Sequence, residues 1–232
     1  MWMRRLKMMI PPVPWHRPLV RVAKGDRVVL LHGLWRSVWS MEGVAEYLHG
    51  EGFETLNMPY ASFRKPLDEI IEDVAAEIGK SEKTTHFVTH SMGGIVVRLL
   101  ADRFPELVTG KIAMLAPPNQ GSEIIDWLSD SFVGRWALGP GGMAMSTEKT
   151  PREIPGLKLG NEVMVIMGQS NPIPLFRFLL DAENDGIVSV EKGKLEGMSK
   201  FRVRSGDHTF IMGRPEIQAE VGEFLKVAGP QD

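Results

Sequence analysis

The sequence predicts an α/β fold, a mostly parallel sheet covered by helices on both faces. Two observations predict it. Short runs with the look of buried strands alternate along the chain with longer stretches of helical period, which is the pattern of strand and crossover helix. Between them fall the residues of tight turns, 24 glycines and 16 prolines in 232 residues, more than average usage.

The elements follow in order. Arg27–Leu31 reads as the first strand, and the helical stretch at residues 41–49 after it is stopped by Gly50 and Gly52. A strand is expected over residues 53–58. Pro66 opens a helix in which Leu67, Ile70, Ile71, Val74 and Ile78 share one face, with Asp68, Glu69, Glu72 and Asp73 near its positive N-terminal end. Residues 85–89 form the next strand and lead through glycines into a helical run over 95–104 that Pro105 ends. Strands over 111–115, 162–167 and 200–204 and a helix over 216–226 complete the pattern. The stretch 127–160 is irregular and glycine-rich, and is expected to be a small inserted cap or a long loop over the sheet. There is no internal repeat, and the chain reads as a single domain, residues 1–232.

Composition narrows the function. Apolar residues make up 43% and charged residues 24%, ordinary globular usage that excludes disordered and fibrous classes. Net charge is −2, from 27 basic and 29 acidic residues, without the basic excess of a nucleic-acid binder. The chain has no cysteine, which excludes disulfide scaffolds, zinc-thiolate sites, iron–sulfur clusters and thiol catalysis. No apolar run reaches the roughly 18 residues of a membrane span, so no stable membrane insertion is expected. The opening Met1 to Ile10 carries the charge of a signal sequence, with Arg4 and Arg5, but its apolar stretch stops at Pro11 and Pro12, too early for a signal core. A cytoplasmic protein is expected.

Four motifs carry chemistry. The strongest is Thr89-His90-Ser91-Met92-Gly93-Gly94, at the C-terminal end of a strand and the start of a helix. A nucleophilic serine needs its hydroxyl on a sharp strand-to-helix turn, a following glycine lets the backbone close, and the helix N-terminus favours a developing anion. His32-Gly33-Leu34-Trp35 follows the first strand. Asn184-Asp185-Gly186-Ile187-Val188 lies beyond the strand at 162–167, with Asp181 and Glu183 as nearby carboxylates. Ser205-Gly206-Asp207-His208-Thr209 follows the last strand, and His208 brings the side-chain type most often used as a general base. Asp207, beside it in sequence, points elsewhere in most backbone conformations.

With these residues the chain resembles the α/β-hydrolase superfamily, and more narrowly its small bacterial serine esterases and lipases with a His-Ser-Met-Gly-Gly nucleophile elbow. The resemblance runs from about Arg27 to the end. Thr89 departs from it, standing at the first glycine of the usual G-x-S-x-G, which bears on elbow packing. The resemblance implies the α/β-hydrolase fold, Ser91 as nucleophile, His208 as base and Asp185 as the acid that orients it, in the chain order Ser, Asp, His. It implies that the backbone N–H groups of Leu34 and Met92 form the oxyanion hole. No cofactor is implied.

The remaining features are weighed against these. Trp35 reads as a pocket wall, and Trp127 and Trp136, with Leu128, Phe132, Leu138, Met143 and Met145, as lining for an acyl chain or as core under a long loop. The loop Pro117-Pro118-Asn119-Gln120-Gly121-Ser122 shapes the floor of the site or is a plain turn. His90, His86, His16 and His49 read as packing or surface residues with no partner at metal-ligand spacing, so no metal is implied. The expected activity is hydrolysis of small-molecule carboxylic esters of short-to-medium acyl chain. A thioesterase or amidase with the same triad, or a hydrolase-like binding protein with an unproductive one, stays open, as does the oligomeric state. A serine at the elbow argues against the superfamily's aspartate-nucleophile dehalogenases and epoxide hydrolases.

Overall fold

The computed structural model describes residues 6–11, 17–157, 162–180 and 183–226; residues 1–5, His16, residues 158–160 of the expected cap, and Asp181 lie outside the described residues. Among the described residues seven strands form one sheet in the order β1-β3-β2-β4-β5-β6-β7. They are β1 (Leu19–Arg21), β2 (Arg27–Leu31), β3 (Glu54–Met58), β4 (Thr85–His90), β5 (Ile112–Leu115), β6 (Val163–Gly168) and β7 (Lys200–Arg204). All neighbours run parallel except β1, which lies antiparallel on β3 at the edge. β1 was not legible in the sequence, because three residues are too few to show a period. The mostly parallel sheet is the α/β architecture the sequence predicts.

The strands alternate strictly between two cores. Val29, Leu31, Phe87, Ile112, Met114 and Val165 face one side, under α2 (Leu67–Ile78) and α3 (Met92–Arg103). Val28, Leu30, Val88, Ala113, Leu115 and Ile166 face the other, under α1 (Val38–Gly50) and α7 (Pro215–Lys226). Helices on both faces follow from strands that are apolar on both. No helix of the described residues is long and apolar enough to cross a membrane.

The stretch after β5 is more regular than its sequence suggests. It forms α4 (Glu123–Ser129), α5 (Phe132–Met143) and α6 (Lys149–Glu153). Ser131 caps α5, its Oγ accepting from Gly134 N at 2.9 Å. Gly139, at φ 61° and ψ 179°, and Pro140 break α5 into two segments. The glycines that hid the helical period sit where backbones meet: a Cβ on Gly134 would lie 1.9 Å from the Leu128 carbonyl oxygen.

Chain order reverses direction across the sheet between β2 and β4. That is the place where an open parallel sheet leaves a crevice beyond its strand ends. β2 and β4 end level there, Leu31 opposite Thr89, and Gly33 and Ser91 face each other just beyond.

Candidate active site

Ser91 sits between β4 and α3 at φ 51°, ψ −121°, a left-handed conformation that costs a residue with a side chain on the order of 1–3 kcal/mol. The neighbours hold it there. Its N–H donates to the Leu115 carbonyl at 2.9 Å and its own carbonyl accepts from Gly94 N at 2.8 Å. Gly93 is needed for the same turn: a Cβ there would lie 2.5 Å from the Leu31 carbonyl oxygen, so only glycine lets α3 start this close to the end of β2. Thr89 does not disturb the elbow. It keeps its place in the ladder beside Leu31 and Met114, and its side chain is buried next to Gly94.

His208 comes from the loop after β7. Its Nε2 lies 2.9 Å from Ser91 Oγ and its Nδ1 2.8 Å from Asp185 Oδ2. Asp185 is fully buried, and among the described residues no arginine or lysine pairs with it. Its second oxygen, Oδ1, accepts from Val188 N at 2.8 Å and Ile187 N at 3.0 Å. The turn Asn184-Asp185-Gly186 makes this geometry, with Gly186 at φ 100° and Asn184 Oδ1 accepting from its N–H. The His208 N–H donates to the Asp185 carbonyl at 2.9 Å, so the two residues are joined through backbone and side chain alike. With Oδ1 occupied by two N–H donors, Oδ2 is left to accept from Nδ1, and Nε2 then faces the serine as an acceptor.

Glu183 and Asp207 stay outside this arrangement. Glu183 is exposed. Asp207 turns its Oδ1 onto the N–H groups of Thr209 and Phe210, at 3.0 and 3.1 Å, capping the turn that presents His208. His90, the serine's neighbour, is buried; its Nε2–H donates to the His208 carbonyl at 2.8 Å. Burial, with the nearby His208 and Arg36, pushes the His90 pKa well below the ordinary histidine value, so the ring is a neutral strut under the base. His86 is likewise buried, its Nδ1 accepting from Lys111 N.

The turn after β2 closes the site from the opposite side. Gly33 packs so closely that a Cβ would meet the His90 ring at 3.0 Å and Ser91 Cβ at 3.1 Å. Leu34 follows. Met92 is the first residue of α3, where the N–H has no intrahelical acceptor. Both residues thus lie beside the serine.

A cavity of about 220 Å³ opens beside Ser91 and His208, with Leu34, Trp35, Ile125, Leu128, Leu138 and Met145 among its lining. Of the three tryptophans expected to line a pocket, only Trp35 does. Trp127 is 45% exposed and sets its edge against Phe176; Trp136 is 72% exposed, over a shallow outer depression beside Phe63 and Arg64. Helical geometry is the reason: each lies two residues, about 200° of turn, from the residue that points inward, Ile125 in α4 and Leu138 in α5.

Ser122, in the loop read from sequence as a site floor or a plain turn, and Arg98, which the sequence reading passed over, hold the surroundings. Ser122 Oγ donates to the Ile187 carbonyl at 2.6 Å, tying the loop after β5 to the Asp185 turn. Arg98, buried inside α3, donates to the carbonyls of Asn119, Ile154 and Pro155, each at 2.9 Å. Burial pulls its pKa down to about 10. An arginine within an otherwise apolar helical run was the available signal.

Residues 28–215 match the Alpha/beta hydrolase family. The chain belongs to that family. Solved structures of similar fold include the mature form of the lipase BlEst2 of Bacillus licheniformis, with 16% identity, 91% of this chain and 98% of that one covered, and a TM-score of 0.73. The metagenomic carboxyl esterase MGS0156 is similar at 19% identity, over 96% and 90% of the two chains, with a TM-score of 0.72. A thermophilic esterase from Thermogutta terrifontis is similar at 15%, over 90% and 93%, with a TM-score of 0.60. At these identities the likeness of this alpha/beta hydrolase to each of them is one of fold. No curated protein sequence matches the chain.

Proposed function

We propose that the protein hydrolyses small-molecule carboxylic esters by acyl transfer through Ser91. His208 Nε2 takes the Ser91 hydroxyl proton as Oγ attacks the ester carbonyl carbon, and the backbone N–H groups of Leu34 and Met92 receive the tetrahedral oxyanion. Collapse breaks the ester C–O bond, and His208 passes its proton to the departing alcohol. Water then attacks the acyl-enzyme with His208 again as base, and the carboxylic acid leaves. Asp185 stays ionised throughout, holding the imidazole in the tautomer that accepts at Nε2 and stabilising the imidazolium.

The observation that carries this reading is the continuous path from Ser91 Oγ to His208 at 2.9 Å and on to Asp185 at 2.8 Å, met on a strained strand-to-helix turn. A hydroxyl aligned in this way has no structural need of the strain it sits in. The cavity of about 220 Å³ is smaller than the roughly 300–1,000 Å³ typical of pockets for drug-sized ligands, which favours short-to-medium acyl chains. Rates on p-nitrophenyl esters from acetate to palmitate, with fluorophosphonate labelling, test the reading. Ser91→Ala is expected to fold, to lose labelling, and to lose about 10⁴–10⁶ in kcat; retention of more than a tenth of the activity refutes it.

A further inference from the structure

Trp35 stands one residue after Leu34 and is held in a conformation that a bulky side chain rarely takes, φ 59°. Two separate segments meet on its indole. The ring stacks on Phe63, centroids 3.9 Å apart and planes 13° from parallel. Its Nε1–H donates to the Ala137 carbonyl at 2.7 Å. That carbonyl lies in the last turn of the first segment of α5, next to the break at Gly139 and Pro140. Gly139 itself presses on the same place, since a Cβ on it would lie 1.8 Å from the Phe63 carbonyl oxygen.

The second segment of α5 lies against the side chains of both residues whose N–H groups are to hold the oxyanion. A Cβ on Gly142 would meet Leu34 Cδ2 at 3.0 Å, and one on Gly141 would meet Met92 Cε at 2.7 Å. Leu34 is thus fixed from two directions, by its chain neighbour's hydrogen bond to α5 and by α5 packing on its own side chain. The geometry points to Trp35 as a positioning residue: its indole fastens the turn after β2 to the kinked helix α5, so that the oxyanion N–H of Leu34 is in place only when α5 is seated. The inference rests on the ester-hydrolase reading and adds to it a specific dependence of the oxyanion site on α5.

The test separates positioning from substrate contact. p-Nitrophenyl acetate is the substrate, because its two-carbon acyl group makes no demand on the apolar cavity. Trp35→Phe keeps a ring to stack on Phe63 and removes the N–H donor. Its kcat is expected to fall about tenfold, less than the roughly 10²–10³ lost with an oxyanion donor outright. KM should stay within twofold, and the rate of fluorophosphonate labelling should fall in step with kcat, since phosphonylation needs the same N–H groups. Gly142→Ala leaves the indole untouched and pushes on Leu34 from the other side; it is expected to give the same split, and it decides the matter if Trp35→Phe does not fold. Wild-type kcat in both variants overturns the proposal. So does a raised KM with kcat unchanged, which makes Trp35 a substrate contact. Failure of the fluorophosphonate to label the wild-type protein at all refutes the hydrolase reading, and the proposal with it, in a way neither variant can mimic.

Discussion

Asp185→Asn is the sharpest probe of the proposed chemistry, because the structure dictates which way the new amide must face. Asp185 Oδ1 accepts from the Ile187 and Val188 N–H groups at 3.0 and 2.8 Å, in a site with no exposure to solvent. An asparagine that turned its NH₂ toward them would set donors against two donors and leave both buried N–H groups unsatisfied, at about 1–3 kcal/mol each. Even the lower bound, about 2 kcal/mol for the pair, favours the other orientation by about thirtyfold. The asparagine oxygen therefore stays on the two N–H groups, and its NH₂ faces His208 Nδ1. A donor at that position makes Nδ1 the acceptor and moves the ring proton to Nε2, where the Ser91 hydroxyl needs an acceptor. The base is present, correctly placed and in the wrong tautomer. The expected loss in kcat is about 10⁴, or about 5.4 kcal/mol in the barrier. KM and thermal stability should change little, since shape and two of the three hydrogen bonds survive. Steady-state rates on p-nitrophenyl butyrate, with a melting curve for each variant, measure this, and Glu183→Gln, at an exposed position, should stay near wild type. A loss in Asp185→Asn of less than tenfold would refute the tautomer argument.

Two further outcomes are expected. Burial holds the pKa of His90 well below 6.5, and that of His86 below it, so below about pH 6.5 the unfolded chain takes up protons that the folded chain refuses. Stability from these groups is complete above pH 6.5 and falls on acidification by up to about 1.4 kcal/mol per pH unit for each. Urea unfolding at pH 7.5, 6.0 and 5.0 should show His90→Asn with a shallower acid decline than wild type; parallel declines would remove His90 from the account. Leu138→Ala, inside the cavity, should move the preferred acyl chain longer and change kcat/KM severalfold between chain lengths, whereas Trp136→Ala, on the outer face, should leave that profile as it is. The opposite ranking in an ester series would place the acyl chain outside α5.

Much of this was legible because it rests on short-range rules. β2 and β7 begin and end where the strand runs predict, and α2 carries its apolar stripe, Leu67, Ile70, Ile71, Val74 and Ile78, on the buried face. The residues the structure brings together at Ser91 each sit in a turn with its own local signature, such as the glycines after the serine or the Asp-Gly pair at 185–186. What escaped depends on partners distant in sequence. The glycines of α5 look like loop formers until Phe63, Leu34 and Met92 are set against them, and the aromatic character of Trp127 and Trp136 does not say which side of a helix they take. Ser122 and Arg98 show in sequence only as the serine of a loop and an arginine in an apolar helical run. Their importance lies in the carbonyls of Ile187, Asn119, Ile154 and Pro155, supplied by distant parts of the chain.

The distribution of backbone strain ties these observations into one physical picture. Among the described residues three non-glycines have positive φ: Trp35, Ser91 and Ala116. Each stands just past the C-terminal end of a parallel strand, β2, β4 and β5, and these three strands are neighbours with level ends. Strain of this kind persists only where surrounding structure over-determines it, and the sheet centre supplies that. Ser91 N and Ala116 N continue the ladder, to Leu115 O at 2.9 Å and Ile166 O at 2.8 Å, so at both positions the chain turns sharply while its N–H is still pinned. Trp35 lies a few residues beyond β2 and has no such ladder bond; its place is held by an indole bound to α5. The serine turn therefore rests on the hydrogen-bonded centre of the sheet, and the turn opposite it on a side-chain contact with α5. On that reasoning, variants that loosen α5 should slow the chemistry while leaving the Ser91–His208–Asp185 alignment intact.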